Sequence, residues 1–186
     1  YFRVVSQSWD ESIIREIADL GHEIGYHYED LSMCKGDMER AIMNFKSNLA
    51  RMRKLVPVST ICMHGSPLSS IDNLDLWKRY DYKDLSIIAE PYIDIDYTQV
   101  FYVTDTGRKW NIKSSSVRDK VDSGFHILIE STQHFIELAE RNELPAKIML
   151  NVHPHRWFDF GVGWVKELVG QNVKNIAKTA IIGLRK

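Results

Sequence analysis

Apolar residues recur along this chain with two alternating periods, and the alternation predicts strands separated by helices. Tyr1-Phe2-Arg3-Val4-Val5 is aromatic and β-branched and predicts a strand from the first residue. Ser8 and Glu11 have the spacing of a capping box, so a helix is expected from near Trp9, with Ile13, Ile14, Ile17 and Leu20 on one face and Gly21 as its stop. His22 to Tyr28 predicts the next strand. Asp37 caps a long helix in which Met38, Ile42, Phe45, Leu49, Met52 and Leu55 form a continuous stripe that ends at Pro57. Ser59 to Met63 predicts a third strand, and Asn73 to Tyr80 a short helix. Ser86 to Ala89 and Val100 to Thr104 follow as strands, with an acidic, aromatic segment from Glu90 to Tyr97 between them. The segment 111–126 is polar and holds the Ser114-Ser115-Ser116 loop. Thr132 to Arg141 predicts a helix, Lys147 to Val152 a last strand, and Gly163 to Leu184 a closing amphipathic helix.

Strands alternating with helices at this spacing argue for a parallel sheet with helical crossovers. Chemistry in such folds lies beyond the C-terminal ends of the strands. That rule selects His27 with Glu29 and Asp30, then His64, Asp105 and His153, and it leads to the expectation that these clusters meet at one mouth of a barrel.

Composition narrows the partner classes. The chain has 186 residues, 44% hydrophobic and 26% charged, with a formal net charge of -1, so it is long enough for a core and has no basic concentration suited to nucleic acid. No apolar run nears the roughly 20 residues of a membrane span, and no signal peptide is visible. Cys34 and Cys62 match no metal spacing and suit a reducing, cytoplasmic setting. The chain is read as a single domain over residues 1–186, and a strand at Tyr1 raises the expectation that an earlier strand precedes it. No sequence feature bears on the oligomeric state.

Each polar cluster has a functional and a plain reading. His22, at a helix-to-strand turn, reads as structural. His27 and Glu29, two apart, leave one face of a strand, whereas a helical turn would pair His27 with Asp30 instead. Imidazole with carboxylate suits Zn²⁺ or a similar divalent ion, and equally an ordinary hydrogen-bonded pair. His64-Gly65-Ser66-Pro67 is either a turn or a ligand-approaching loop. Asp105 with Trp110 could orient a catalytic group and wall a pocket, or form a turn over a core Trp. His153, ending the strand before Pro154-His155-Arg156-Trp157, is a natural general acid or a helix cap.

Four segments carry a family likeness: Leu20 to Leu31 (Leu-Gly-His-Glu-Ile-Gly-Tyr-His-Tyr-Glu-Asp-Leu), Ile61 to Leu68, Thr104 to Trp110, and Leu150 to Trp157. Together they resemble the polysaccharide deacetylase (NodB-like, carbohydrate esterase family four) group, most of all its divergent bacterial members linked to O-antigen and surface-polysaccharide biosynthesis. The resemblance implies an α/β fold, an irregular (β/α)7 barrel, here lacking its first strand. It also implies metal-dependent removal of acetyl groups from a carbohydrate substrate, with Zn²⁺ the expected ion. On the same basis His27 matches the first metal-binding His of the second motif. Leu31 stands where that motif has its other His, so Glu29, and next Asp30, is the expected replacement. His64 stands in the third motif's region and, with Trp110 and Trp157, is assigned to substrate binding. Asp105 and Trp110 resemble the fourth motif, and His153 the general acid of the last. The paired Asp residues of the first motif would lie upstream of Tyr1. The alternatives are a catalytically inactive sugar-binding relative and a hydrolase of other C–N bonds.

Overall fold

A computed structural model describes residues 1–65, 69–108, 110, 121, 124–154, 159 and 161–184. The chain forms two compact units, Tyr1–Ile95 and Asp96–Lys186.

In the first unit, helix α1 spans Glu11–Asp19. Asp10, rather than Ser8, caps it: its Oδ1 accepts from the backbone N–H of Ser12 (3.0 Å) and Ile13 (3.2 Å), two of the donors a helix start leaves unpaired. The expected apolar face is only partly turned inward. Ile14 is fully buried, whereas Ile13 and Leu20 are exposed. Gly21, at φ +86°, closes the helix in a Schellman arrangement, with Gly21 N donating to Ala18 O and His22 N to Ile17 O.

Strand β1 (Tyr26–Tyr28) pairs in parallel with β2 (Ile61–Met63), with His27 opposite Cys62. The flanking segments expected as full strands contribute single parallel bridges, Phe2 to Tyr26 and Thr60 to Ala89. Period-two alternation sends Tyr26 and Tyr28 to one face of β1 and His27 to the other. The tyrosine face packs on α3 (Met38–Arg53), whose Phe45 ring lies 5.2 Å from Tyr26 and 5.7 Å from Tyr28. Trp77, in a 3₁₀ turn over Asn73–Lys78, closes the cluster edge-on to Phe45 at 4.9 Å and donates its indole N–H to the Tyr28 hydroxyl at 2.8 Å. Between β1 and α3 sits α2, Asp30–Met33. Asp37 caps α3 as its position suggests, and Ala41, Ile42, Phe45, Leu49 and Met52 form its buried stripe. A last short helix, α4 (Pro91–Asp94), starts with Pro at its first turn behind Glu90.

In the second unit, β3 (Phe101–Thr104) pairs in parallel with β4 (Ile148–Asn151), Thr104 opposite Asn151. Helix α5 (Thr132–Glu140) starts at Ser131, whose Oγ accepts from His134 N at 3.0 Å, and α6 spans Val162–Leu184. Phe101, Val103, Ile129 and Leu138 form the core of this unit.

The architecture is thus mixed α/β with parallel pairing, in two sheets of two strands each among the described residues, where no closed barrel is formed. Among the described residues no helix is long and apolar enough to cross a membrane.

Candidate functional site

Two polar clusters occupy strand ends, one in each unit. The first gathers His27, His64, Glu29 and Arg3. His27 leaves β1 on the face opposite the tyrosines, and its Nδ1 lies 2.9 Å from the carbonyl oxygen of Cys62, its partner in the register. A carbonyl only accepts, so His27 Nδ1 carries the hydrogen. Burial, reinforced by the neighbouring His64, pushes its pKa from 6.5 to about 3, which keeps the ring neutral and makes Nε2 an acceptor. His64 Nδ1 lies 3.1 Å from that Nε2, with the two rings nearly perpendicular at 81°. With His27 neutral, His64 Nδ1–H is the donor. The His64 main chain is held on both sides: its N–H donates to Tyr28 O at 2.7 Å, and its carbonyl accepts from Asn73 Nδ2 at 2.8 Å. The other end of the buried Asn73 amide accepts from Ser32 N at 2.9 Å, which ties His64 to α2.

Glu29 precedes α2. Its Oε1 receives Arg3 Nε at 2.9 Å and Nη2 at 2.5 Å, and its Oε2 lies 3.8 Å from His64 Nε2. Both side chains of that last pair are less than a third exposed. Asp30, the sequence alternative to Glu29, points elsewhere. It is fully buried, with Oδ2 accepting from Tyr26 Oη at 2.7 Å and Oδ1 from Asn44 and Asn48 amides at 2.7 and 2.9 Å. Burial raises its pKa even against those hydrogen bonds. Asp30 anchors β1 to α3. Leu31, where the family motif would have a His, is 1% exposed and belongs to the core.

The second cluster joins Asp105 and His153. Asp105 follows β3 and continues its ladder, its N–H donating to Asn151 O at 3.2 Å. Its carboxylate meets His153 twice: Oδ1 lies 2.5 Å from the ring Nδ1, and Oδ2 accepts from the backbone N–H at 3.1 Å. An ionised carboxylate only accepts, so Nδ1 carries a hydrogen and Nε2 becomes the nitrogen at which a proton can be exchanged. Trp110 stacks on Phe135 (5.8 Å, 16°) and donates to Thr132 Oγ1 at 3.2 Å, packing over the start of α5. Trp157 lies outside the described residues, as do His155, Arg156, Ser66 and Pro67.

Three residues of these surroundings escape a motif-based reading. Arg3 sits one residue past an inconspicuous bridge, and Asn73 starts a short turn. Glu90 is fully buried after the Ala89 bridge, and desolvation pushes its pKa up to about 7. Its Oε1 accepts from Met63 N at 2.8 Å and its Oε2 from Tyr92 N at 2.6 Å. The Glu90-Pro91 pair was the available signal, since Pro at the first helical position makes the preceding residue a cap.

The fit of a divalent ion can be judged on geometry. His27 Nε2 and His64 Nδ1 are 3.1 Å apart, near the roughly 3.3 Å that separates two nitrogens of a tetrahedral zinc centre. Those two nitrogens fit; among the described residues no group of three or more His, Cys, Asp or Glu side chains is arranged to hold a metal. No family model, curated protein or solved structure matches the chain.

Proposed function

We propose that the protein is a metal-dependent hydrolase that removes acetyl groups from an amino sugar or a surface-polysaccharide precursor. The observation that carries this reading is the Asp105–His153 pair, an imidazole held at Nδ1 by a carboxylate 48 residues away. Such a ring is oriented to deliver a proton from Nε2, as the general acid of amide or ester hydrolysis must.

In the proposed reaction, water adds to the acetyl carbonyl carbon, the C–N or C–O bond to the sugar breaks, and acetate is released. His153 gives its Nε2 proton to the departing sugar nitrogen or oxygen. Asp105 keeps the ring oriented through its contacts with Nδ1 and the backbone N–H. The proton of the water goes to a carboxylate base, the role that the family resemblance gives to the paired Asp residues of the first motif. A divalent ion, most simply Zn²⁺, would when bound supply Lewis acidity to the carbonyl and to the water. Within the first unit taken by itself, His27 is neutral and oriented by the Cys62 carbonyl, the state in which an imidazole would hold such an ion.

A second reading, a sugar-binding relative without turnover, is favoured by one observation: Leu31 is buried in the core, so the family's usual ligand position contributes nothing. One experiment separates the two. Acetate release from acetylated amino sugars is measured with the full-length protein, before and after chelation and with Zn²⁺ restored. The proposal expects activity that is lost on chelation, recovered with metal, and at least about 10²-fold lower in His153→Ala. Saccharide binding without acetate release supports the second reading. Turnover indifferent to chelation overturns the first.

A further inference from the structure

We propose that His64, not Glu29, is the second protein ligand of the divalent ion, and that Glu29 is the carboxylate that positions His64. This assignment rests on the metal-dependent reading above and makes it specific. His27 Nε2 and His64 Nδ1 point at each other across 3.1 Å, and in each case the rest of the residue is fixed by groups outside the pair. His27 is fixed by the Cys62 carbonyl on Nδ1, and His64 by its main-chain bonds to Tyr28 and Asn73. Two imidazole nitrogens brought this close by neighbouring parallel strands form a chelating edge.

Glu29 is ill placed to share that edge. Its Oε1 already takes two hydrogen bonds from the Arg3 guanidinium, and its Oε2 stands toward Nε2 of His64, the nitrogen on the far side of the ring from Nδ1. Coordination by Glu29 would mean giving up the Arg3 pair. Coordination by His64 leaves that pair intact and uses Glu29 as it stands. A metal-ligating imidazole commonly donates its other ring N–H to a carboxylate, which sets the tautomer and raises the basicity of the ligating nitrogen.

The proton inventory is consistent with this. Without metal, the hydrogen on His64 Nδ1 bridges to His27 Nε2. Coordination needs lone pairs on both of those nitrogens. The His64 hydrogen therefore leaves Nδ1 and is carried on Nε2, where Glu29 attracts it. His27 keeps its hydrogen on Nδ1, against Cys62. Starting from a neutral His64, one proton changes position and none has to be released.

The test uses the full-length protein, stripped of metal and titrated with Zn²⁺ against a chromophoric chelator. His64→Ala and His27→Ala are each expected to weaken Zn²⁺ at least about 100-fold, and Glu29→Gln by about 10- to 100-fold, the range typical of partners behind a ligand. Histidine ¹⁵N chemical shifts of the unmutated protein give a second readout that does not depend on any variant folding. His64 is expected to change from the Nδ1–H to the Nε2–H tautomer as Zn²⁺ is added, and a merely structural His64 would not. Zn²⁺ affinity unchanged in His64→Ala, or an unchanged His64 tautomer on saturation, overturns this assignment while leaving the metal-dependent function standing. An unmutated protein that binds no Zn²⁺ overturns both.

Discussion

The carboxylate of Asp105 holds His153 at two points, the ring Nδ1 at 2.5 Å and the backbone N–H at 3.1 Å. The contact therefore fixes where the ring starts as well as how it is turned. It arises because β3 and β4 are parallel neighbours in register, so that residues just past Thr104 and Asn151 emerge side by side.

Asp105→Asn tests whether that orientation serves catalysis. The amide keeps one acceptor but turns an NH₂ toward either the ring or the backbone donor. Acetate release is expected to fall about 10²-fold, mostly in kcat. A loss that falls on KM instead of kcat would mean that Asp105 only braces the strand ends.

How much of this was legible in the sequence depends on the range of the interaction. Local signals read well: Asp37 caps α3 and the stripe through Ile42, Phe45, Leu49 and Met52 is buried as its spacing implies. One local signal misled: the Ser8–Glu11 spacing pointed to a cap at Ser8, whereas Asp10 Oδ1 reaches two N–H groups and caps the helix. Edge segments were overread, because Phe2 and Ala89 belong to runs with strand composition yet contribute one bridge each. Nonlocal pairings were readable only as a placement of polar groups at strand ends, without their partners' geometry. The meeting of His27 and His64, 37 residues apart, follows from the β1–β2 register, and the split between Glu29 and Asp30 follows from where α2 begins.

Asp30 supplies the next prediction. Its carboxylate is the shared acceptor of Tyr26, Asn44 and Asn48 in a fully buried setting. Asp30→Ala strands those donors without water, at a cost of about 3 kcal/mol. Denaturant unfolding should register that loss while Zn²⁺ affinity per folded molecule stays the same. A selective drop in Zn²⁺ affinity would return Asp30 to the list of ligands.

Phe45 is where the core of the first unit should be most sensitive. Its buried ring contacts those of Tyr26, Tyr28 and Trp77 within 4.9 to 5.7 Å, so three aromatic partners lose a neighbour when it is removed. Phe45→Ala is expected to cost about 4 kcal/mol, near the middle of the range for such truncations. Phe45→Leu should cost clearly less. Similar losses for both, read from urea midpoints at constant m-value, would point to lost aromatic geometry rather than to a cavity.

The last prediction concerns Glu90 and pH. Burial raises its pKa from 4.5 to about 7 in the folded chain, against the pull of the Met63 and Tyr92 N–H groups. Between those values the folded state holds a proton that the unfolded state has released. Stability changes with pH in proportion to protons bound unfolded minus protons bound folded, a negative difference here, so stability falls as pH rises. The contribution is intact below about 4.5 and is lost as pH passes 7, a total on the order of 3 kcal/mol at about 1.4 kcal/mol per pH unit. Glu90→Gln cannot ionise. Its amide can accept from one backbone N–H but turns an NH₂ toward the other, so the variant should be less stable than wild type at pH 4.5 and should lose less on going to pH 8. The quantity to compare is the wild-type stability minus that of the variant across this window, from urea unfolding at fixed ionic strength. A difference that shrinks as pH rises matches a buried, protonated Glu90. A difference that stays constant would mean that the carboxylate is ionised throughout, with its two backbone hydrogen bonds outweighing desolvation.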